Sequence, residues 1–119
     1  MRKETRKSLE KKADRLWSLC TIKRDKKCMR CGSKSKLSAH HIRVRQHTST
    51  RWLLHNSITY CWTCHSLQKY RPQMFMDFTI DLVGQTKYDV LRKISERVIK
   101  YSIADLREIV ESLQRELDG

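Results

Sequence analysis

Two identically spaced cysteine pairs, Cys28-x-x-Cys31 and Cys61-x-x-Cys64, carry the most specific chemical signal in this chain of 119 residues. A CxxC turn sets two thiolates one tetrahedral edge apart. Two such turns close a shell of four sulfurs, a geometry that Zn²⁺ accepts without ligand-field penalty. Gly32 follows the first pair and can take the left-handed conformation that a knuckle needs. The second pair falls where a helix begins, and the positive helix end favours thiolate. A redox dithiol would need a single CxxC beside a βαβ pattern, which is absent. The spacing therefore predicts a structural Zn²⁺ held by Cys28, Cys31, Cys61 and Cys64. A closed shell of four thiolates has no open position, so this zinc accounts for folding and not for activity. The fifth cysteine, Cys20, falls on an apolar helix face and reads as buried rather than as a ligand.

Between and just after these pairs lie all five histidines: His40, His41, His47, His55 and His65. A zinc ribbon that only binds DNA has no need of such a set. His40 and His41 are strand neighbours, so they face opposite sides and suit two different jobs. His65 lies in the first turn of the helix anchored by Cys61 and Cys64, which fixes its place. His47 sits in a basic loop and at most contacts phosphate; His55 is a similar surface residue or a donor to the backbone.

Several elements must position these groups. Leu9, Ala13, Leu16, Trp17 and Cys20 share one face of a helix over residues 3–20, opposite a Lys/Arg-rich face. Residues 37–42 and 57–60 read as short strands separated by a basic loop over 43–55. Cys61 to about Tyr70 reads as a helix ended before Pro72. Knuckle, short strands and helix form a treble-clef arrangement. Three further helices follow. The first spans 73–83, with Met74, Phe75, Phe78 and Leu82 toward a core and Gly84 after its end. The second spans 87–100, with Thr86 and Asp89 at capping-box spacing. The third spans 103–117, with Ser102 and Asp105 at that spacing and an apolar stripe of Ile103, Leu106, Ile109, Val110, Leu113 and Leu117. The fold expected is small and α+β: a single domain over 1–119, with an N-terminal basic helix in 1–25, a zinc core in 26–71 and a helical tail in 72–119.

Charge narrows the class of partner. The chain has 26 Lys+Arg against 13 Asp+Glu and a net charge of +13. Residues 1–50 hold 16 basic and 4 acidic side chains, residues 51–71 hold 3 and none, and residues 72–119 hold 7 and 9. The polyanion-facing surface therefore belongs to the first seventy residues. Arg43, Arg45, Arg51, Lys69 and Arg71 surround the histidines. With the basic face of residues 2–15 and Lys23–Lys27 they make a phosphate track. Trp52 and Trp62 read as packing around a small core. The absence of an apolar run of membrane-spanning length and of an N-terminal h-region argues against membrane and secreted proteins, and the CxxC usage fits a reducing compartment.

The string Ala39-His40-His41-Ile42, then Asn56, then Cys61-Trp62-Thr63-Cys64-His65, resembles the HNH nuclease motif on its ββα-metal fold, in the zinc-stabilised version. Over roughly residues 26–117 the chain is similar to the phage NinG/Rap recombination nucleases. Arg51-Trp52, Asn56 and the second CxxC keep their spacing, and the segments Phe78–Gly84 and Tyr101–Leu106 look like their helical tail. Those proteins usually have Gly-His-Tyr where this chain has His40-His41-Ile42, and Cys-Asn where it has Cys64-His65.

The resemblance implies a metal-dependent DNA endonuclease in the cytoplasm of a bacterial host, phage- or prophage-encoded, acting on Holliday junctions or D-loops. It implies that His41 is the general base, that His40 and His65 hold a catalytic divalent ion, and that Asn56 holds the loop without touching the ion. Imidazole ligands suit Mn²⁺, Co²⁺, Ni²⁺ or Zn²⁺, and phosphate oxygens keep Mg²⁺ open. A junction enzyme is expected to be a homodimer, with the 103–117 stripe as its candidate interface. Two alternatives stand beside this reading: a general HNH nicking or packaging nuclease, and a non-catalytic zinc-stabilised nucleic-acid-binding module such as a regulator.

Overall fold

The computed structural model describes residues 4–119. Its first helix, α1 (Arg6–Asp25), starts where the Thr5 hydroxyl accepts from the Ser8 N–H, while the Ser8 hydroxyl accepts from the Thr5 N–H. It ends at Lys26, whose φ of 66° reverses the chain as its N–H donates to Ile22 O. The helix expected over 3–20 thus runs five residues further, because Thr21 continues the buried face. Residues 1–3 lie outside the described residues.

β1 (Leu37–His41) and β2 (Ser57–Cys61) pair antiparallel, with His40 opposite Ile58 and His41 opposite Ser57. The fifteen residues between them exceed the usual hairpin loop of about 2–5 residues. Hydrogen bonds lace this loop from within, as described below. It closes with a 3₁₀ turn at Leu54–Asn56. α2 (Trp62–Gln68), α3 (Pro72–Val83), α4 (Gln85–Ser95) and α5 (Ile103–Asp118) follow. The described residues thus form a small α+β fold of five α-helices and one two-stranded sheet. No helix among them is long and apolar enough to cross a membrane.

Two apolar cores divide the work. In the first, Leu9, Ala13, Leu16 and Trp17 of α1 meet Leu106, Val110 and Leu113 of α5, with Trp52 beside them. In the second, the cysteine cluster and Ile58 and Tyr60 of β2 pack on Phe75 of α3 and Tyr88 and Leu91 of α4.

The tail departs from the expected pattern at four points, the first being Leu82, expected toward a core but 44% exposed near the end of α3. The Thr86–Asp89 capping box does not form. Gly84, at φ 93°, ends α3 and begins α4 directly, so Thr86 is already inside the helix and Asp89 accepts from the Gln85 side chain instead. α4 also stops at Ser95 rather than residue 100. Most consequentially, the α5 stripe is consumed by α1, with Leu106 fully buried and only Ile103 of the six substantially exposed. It is not free to serve as a dimer interface. The Ser102–Asp105 capping box does form.

Candidate metal centre and histidine site

The first cysteine knuckle is closed by backbone bonds. Cys28 N–H donates to Ser33 O and Gly32 N–H to Cys28 O, and Gly32 takes φ 80°, a conformation that an L side chain would strain. The second pair straddles the start of α2, with Cys61 as N-cap and Cys64 in the first turn. Hairpin pairing sets Cys61 opposite Leu37, and the Met29 N–H donates to Thr59 O, bringing the knuckle onto β2.

All four sulfurs lie within 4.8 Å of one another, and Cys31 Sγ is 3.5 Å from Cys61 Sγ. Four thiolates on one Zn²⁺ at about 2.3 Å are about 3.8 Å apart, so the cluster fits a zinc ion. Its electrostatics agree. Burial pushes the Cys64 thiol up to about 12, whereas at Cys28 burial is outweighed by backbone N–H groups, which bring it down to about 6. Four thiols sharing one site cannot all ionise without a cation between them. Cys20 lies apart, buried, its thiol donating to Leu113 O at 3.3 Å.

The histidines divide by strand alternation. His40 faces α2, with its ring centroid 5.5 Å from that of His65 in an edge-on arrangement and 5.7 Å from the Tyr60 ring. Two imidazoles on one ion have centroids about 5 Å apart, close to the separation of this pair. Burial first, then the neighbouring histidines, brings His40 down to about 4, which keeps it in the neutral form that binds metal. His65 Nδ1 is buried without a hydrogen-bond partner. A buried polar atom left unpaired is costly, and a ligand would satisfy it. Gln68 Nε2 donates to His40 Nε2 at 2.9 Å, so that lone pair is taken and an ion on it would need the Gln68 amide to turn away. Sequence reasoning passed over Gln68, although its place one helical turn after His65 was readable.

His41 faces the other way. It stacks on Trp17 of α1, with centroids 3.9 Å apart and planes 9° from parallel, and its Nε2 lies 3.0 Å from Arg51 O. An Nε2–H donated to that carbonyl leaves Nδ1 as the nitrogen with a free lone pair. Burial holds His41 below its ordinary value, with the Arg51 carbonyl and Asp14 partly offsetting it. His40 and His41 are therefore not brought together on one face.

Asn56, fully buried, laces the long loop. Its Oδ1 accepts from Arg43 N–H at 2.7 Å, and its Nδ2 donates to Arg43 O and Thr50 O at 3.0 and 3.1 Å. One amide thus ties the loop's entry to its far arm.

Two members of the expected phosphate track serve inside the protein instead. Arg51, only 8% exposed, donates twice to Asp14 at 2.7 and 3.1 Å and once to Glu10 at 3.3 Å, with its guanidinium over the Trp52 ring. Arg43 donates to Ser95 Oγ and Tyr88 OH, tying the loop to α4. A planar fork with apolar surroundings and nearby acceptors is drawn inward rather than left in water. Arg45, Lys69 and Arg71 remain exposed, and Arg45 also lies 3.6 Å from Asp14. His47 is half-buried and His55 exposed. Of the two tryptophans expected to pack, Trp52 is buried and donates to Asp14, but Trp62 stands in solvent.

No protein-family model, curated protein or solved structure matches the chain.

Proposed function

We propose that this protein is a metal-dependent DNA endonuclease of the HNH, ββα-metal type, built on a treble-clef zinc centre and acting on branched recombination intermediates such as Holliday junctions or D-loops. The observation that carries the reading is the pairing of His40 with His65 across β1 and α2, with His65 Nδ1 buried and unpaired. His41, the next residue of β1, is held separately on the opposite face by the Trp17 stack and the Arg51 carbonyl. This is the division of labour that the motif requires, two ligands and a base.

His40 and His65 would hold the divalent ion, Mg²⁺ or Mn²⁺, which when bound supplies charge stabilisation to phosphate oxygens and the leaving oxygen. His41 is the group that takes a proton from water. Its Nε2–H is fixed by the Arg51 carbonyl, so Nδ1 receives the proton. The imidazolium then formed lies flat on the Trp17 indole, whose π face favours a cation. Asn56 keeps the loop carrying Arg51 closed against β1. The exposed Arg45, Lys69 and Arg71 remain available for phosphate. In keeping with the resemblance, the enzyme works in recombination of phage or prophage DNA in the bacterial cytoplasm.

A second reading, the non-catalytic binding module, is favoured by one observation: the Trp17 stack and the Arg51 bond also account for His41 as a packing group. Single-turnover cleavage of a four-way junction and a matched linear duplex, with Mg²⁺ or Mn²⁺, separates the readings. The nuclease cuts and His41→Ala does not, although it still binds. Equal cutting of both substrates selects a general nicking or packaging enzyme. Absence of cutting by wild type with either ion selects the binding module.

A further inference from the structure

Trp62 is the one tryptophan left in solvent: it is 63% exposed, while Trp17 and Trp52 are buried. It is also firmly held. It directly follows the cluster residue Cys61 as the first residue of α2, and its N–H donates to Lys36 O at 3.0 Å. Lys36 adopts a left-handed backbone, φ 53°, one of only two non-glycine residues to do so among the described residues. The other, Lys26, is explained by the α1 cap. Lys36 also places its Nζ 5.1 Å from the centre of the Trp62 ring. One residue thus fixes the tryptophan's backbone and sets a cation against its π face, in a conformation of the kind found where a site is pre-organised.

The charge of the chain segment that carries Trp62 selects the partner. Residues 26–71 contain ten Lys+Arg and no Asp or Glu, and Lys27, Arg30, Lys34, Lys36 and Lys69 are exposed. A protein docking there would have to be strongly acidic as well as aromatic-seeking, whereas a nucleic acid brings phosphate charge and a flat base together. Duplex bases are already stacked on each other and offer no free face, but an unpaired base does. His65 lies three residues after Trp62, a spacing that sets side chains about 5–6 Å apart at Cβ on one helix face. A base stacked on Trp62 would therefore bring its own phosphate close to the His40–His65 pair.

We propose that Trp62, with Lys36, is a stacking platform that receives an unpaired nucleotide of single-stranded DNA beside the histidine site. The proposal rests on reading the chain as acting on DNA, and it names the substrate feature recognised: an unpaired segment rather than duplex.

The test is a binding titration of the zinc-loaded full chain with oligothymidylate and with matched duplex, without added Mg²⁺ or Mn²⁺, following tryptophan emission. Stacking quenches emission on oligothymidylate, and the quench is missing in Trp62→Phe, which keeps most of the affinity. Trp62→Ala loses roughly tenfold in oligothymidylate affinity and little in duplex affinity. Lys36→Gln weakens the same substrate. Zinc content and melting temperature stay at wild-type values, since the side chain is exposed. Unchanged oligothymidylate affinity in Trp62→Ala, or equal losses on both substrates, overturns the platform even if wild type cleaves junctions. A wild-type protein that stacks oligothymidylate but cleaves nothing leaves the platform standing and overturns the nuclease. A wild type that binds neither DNA overturns both.

Discussion

At the scale of single residues, His41 and the pair His40/His65 should respond differently to substitution. His41→Ala removes a proton acceptor and should cost about two to four orders of magnitude in cleavage, with fold, zinc and DNA binding kept. His40→Ala and His65→Ala should weaken ion binding instead, so raising Mn²⁺ should restore part of their activity and none of His41→Ala's. Single-turnover rates across Mn²⁺ concentration check both expectations, and wild-type cleavage by folded His41→Ala would place the base elsewhere. Cysteine replacement belongs to a different energy range. A structural zinc site contributes on the order of 10 kcal/mol, as large as the whole stability of an ordinary small domain. Cys61→Ser should therefore abolish cooperative melting of the core around Tyr60 and Phe75. Equimolar zinc and an unchanged melting temperature in that variant would sink the centre.

At the scale of elements, α1 is the part whose role changes most. Beyond its apolar and basic faces, it holds the β1–β2 loop. Asp14 holds Arg51 and Trp52, Trp17 supports His41 and donates to Leu53 O, and Arg24 donates to Leu54 O and Ser57 O. One helix thus grips the outgoing arm of the β1–β2 loop along its length. Asp14→Ala should cost roughly 2 kcal/mol, because it leaves a largely buried guanidinium with only Glu10. It should also lower kcat more than it raises KM, since the Arg51 carbonyl holds His41. Thermal melting and steady-state kinetics together test this; a stability loss with unchanged kcat would show that α1 supports only the fold.

At the scale of the whole molecule, the charge split is what should organise DNA binding on the proposed reading. Lys7, Lys11, Lys12 and Arg15 are exposed on α1 opposite its buried face. Each phosphate contact they make should contribute roughly 0.9 to the slope of log affinity against log salt. Changing all four to Gln should flatten that slope while leaving the melting temperature near wild type. Deleting α1 would not test the same idea, because Leu9, Ala13, Leu16 and Trp17 are half of the first core. A slope that does not move would remove α1 from the DNA surface.

The features governed by local rules were legible in the sequence. CxxC spacing dictates how close two sulfurs come, and the four sulfurs do gather. Period-3.6 stripes dictate the buried faces of α1 and α5, and Ser102 with Asp105 caps α5. Strand alternation dictates that His40 and His41 part. Tertiary structure decided what spacing along the chain cannot encode. The α5 stripe looks the same whether its partner is a second copy or α1, and only the folded chain brings α1 to it. Arg43 and Arg51 look like any surface arginines until Tyr88, Ser95, Glu10 and Asp14, all distant in sequence, come within hydrogen-bond reach. Trp62 reads as core by composition, yet α2 presents it to water because its neighbours Cys61 and Cys64 turn inward to the four-cysteine cluster. Periodicity tells a residue which face it occupies; which surface meets that face depends on contacts between segments far apart in the chain.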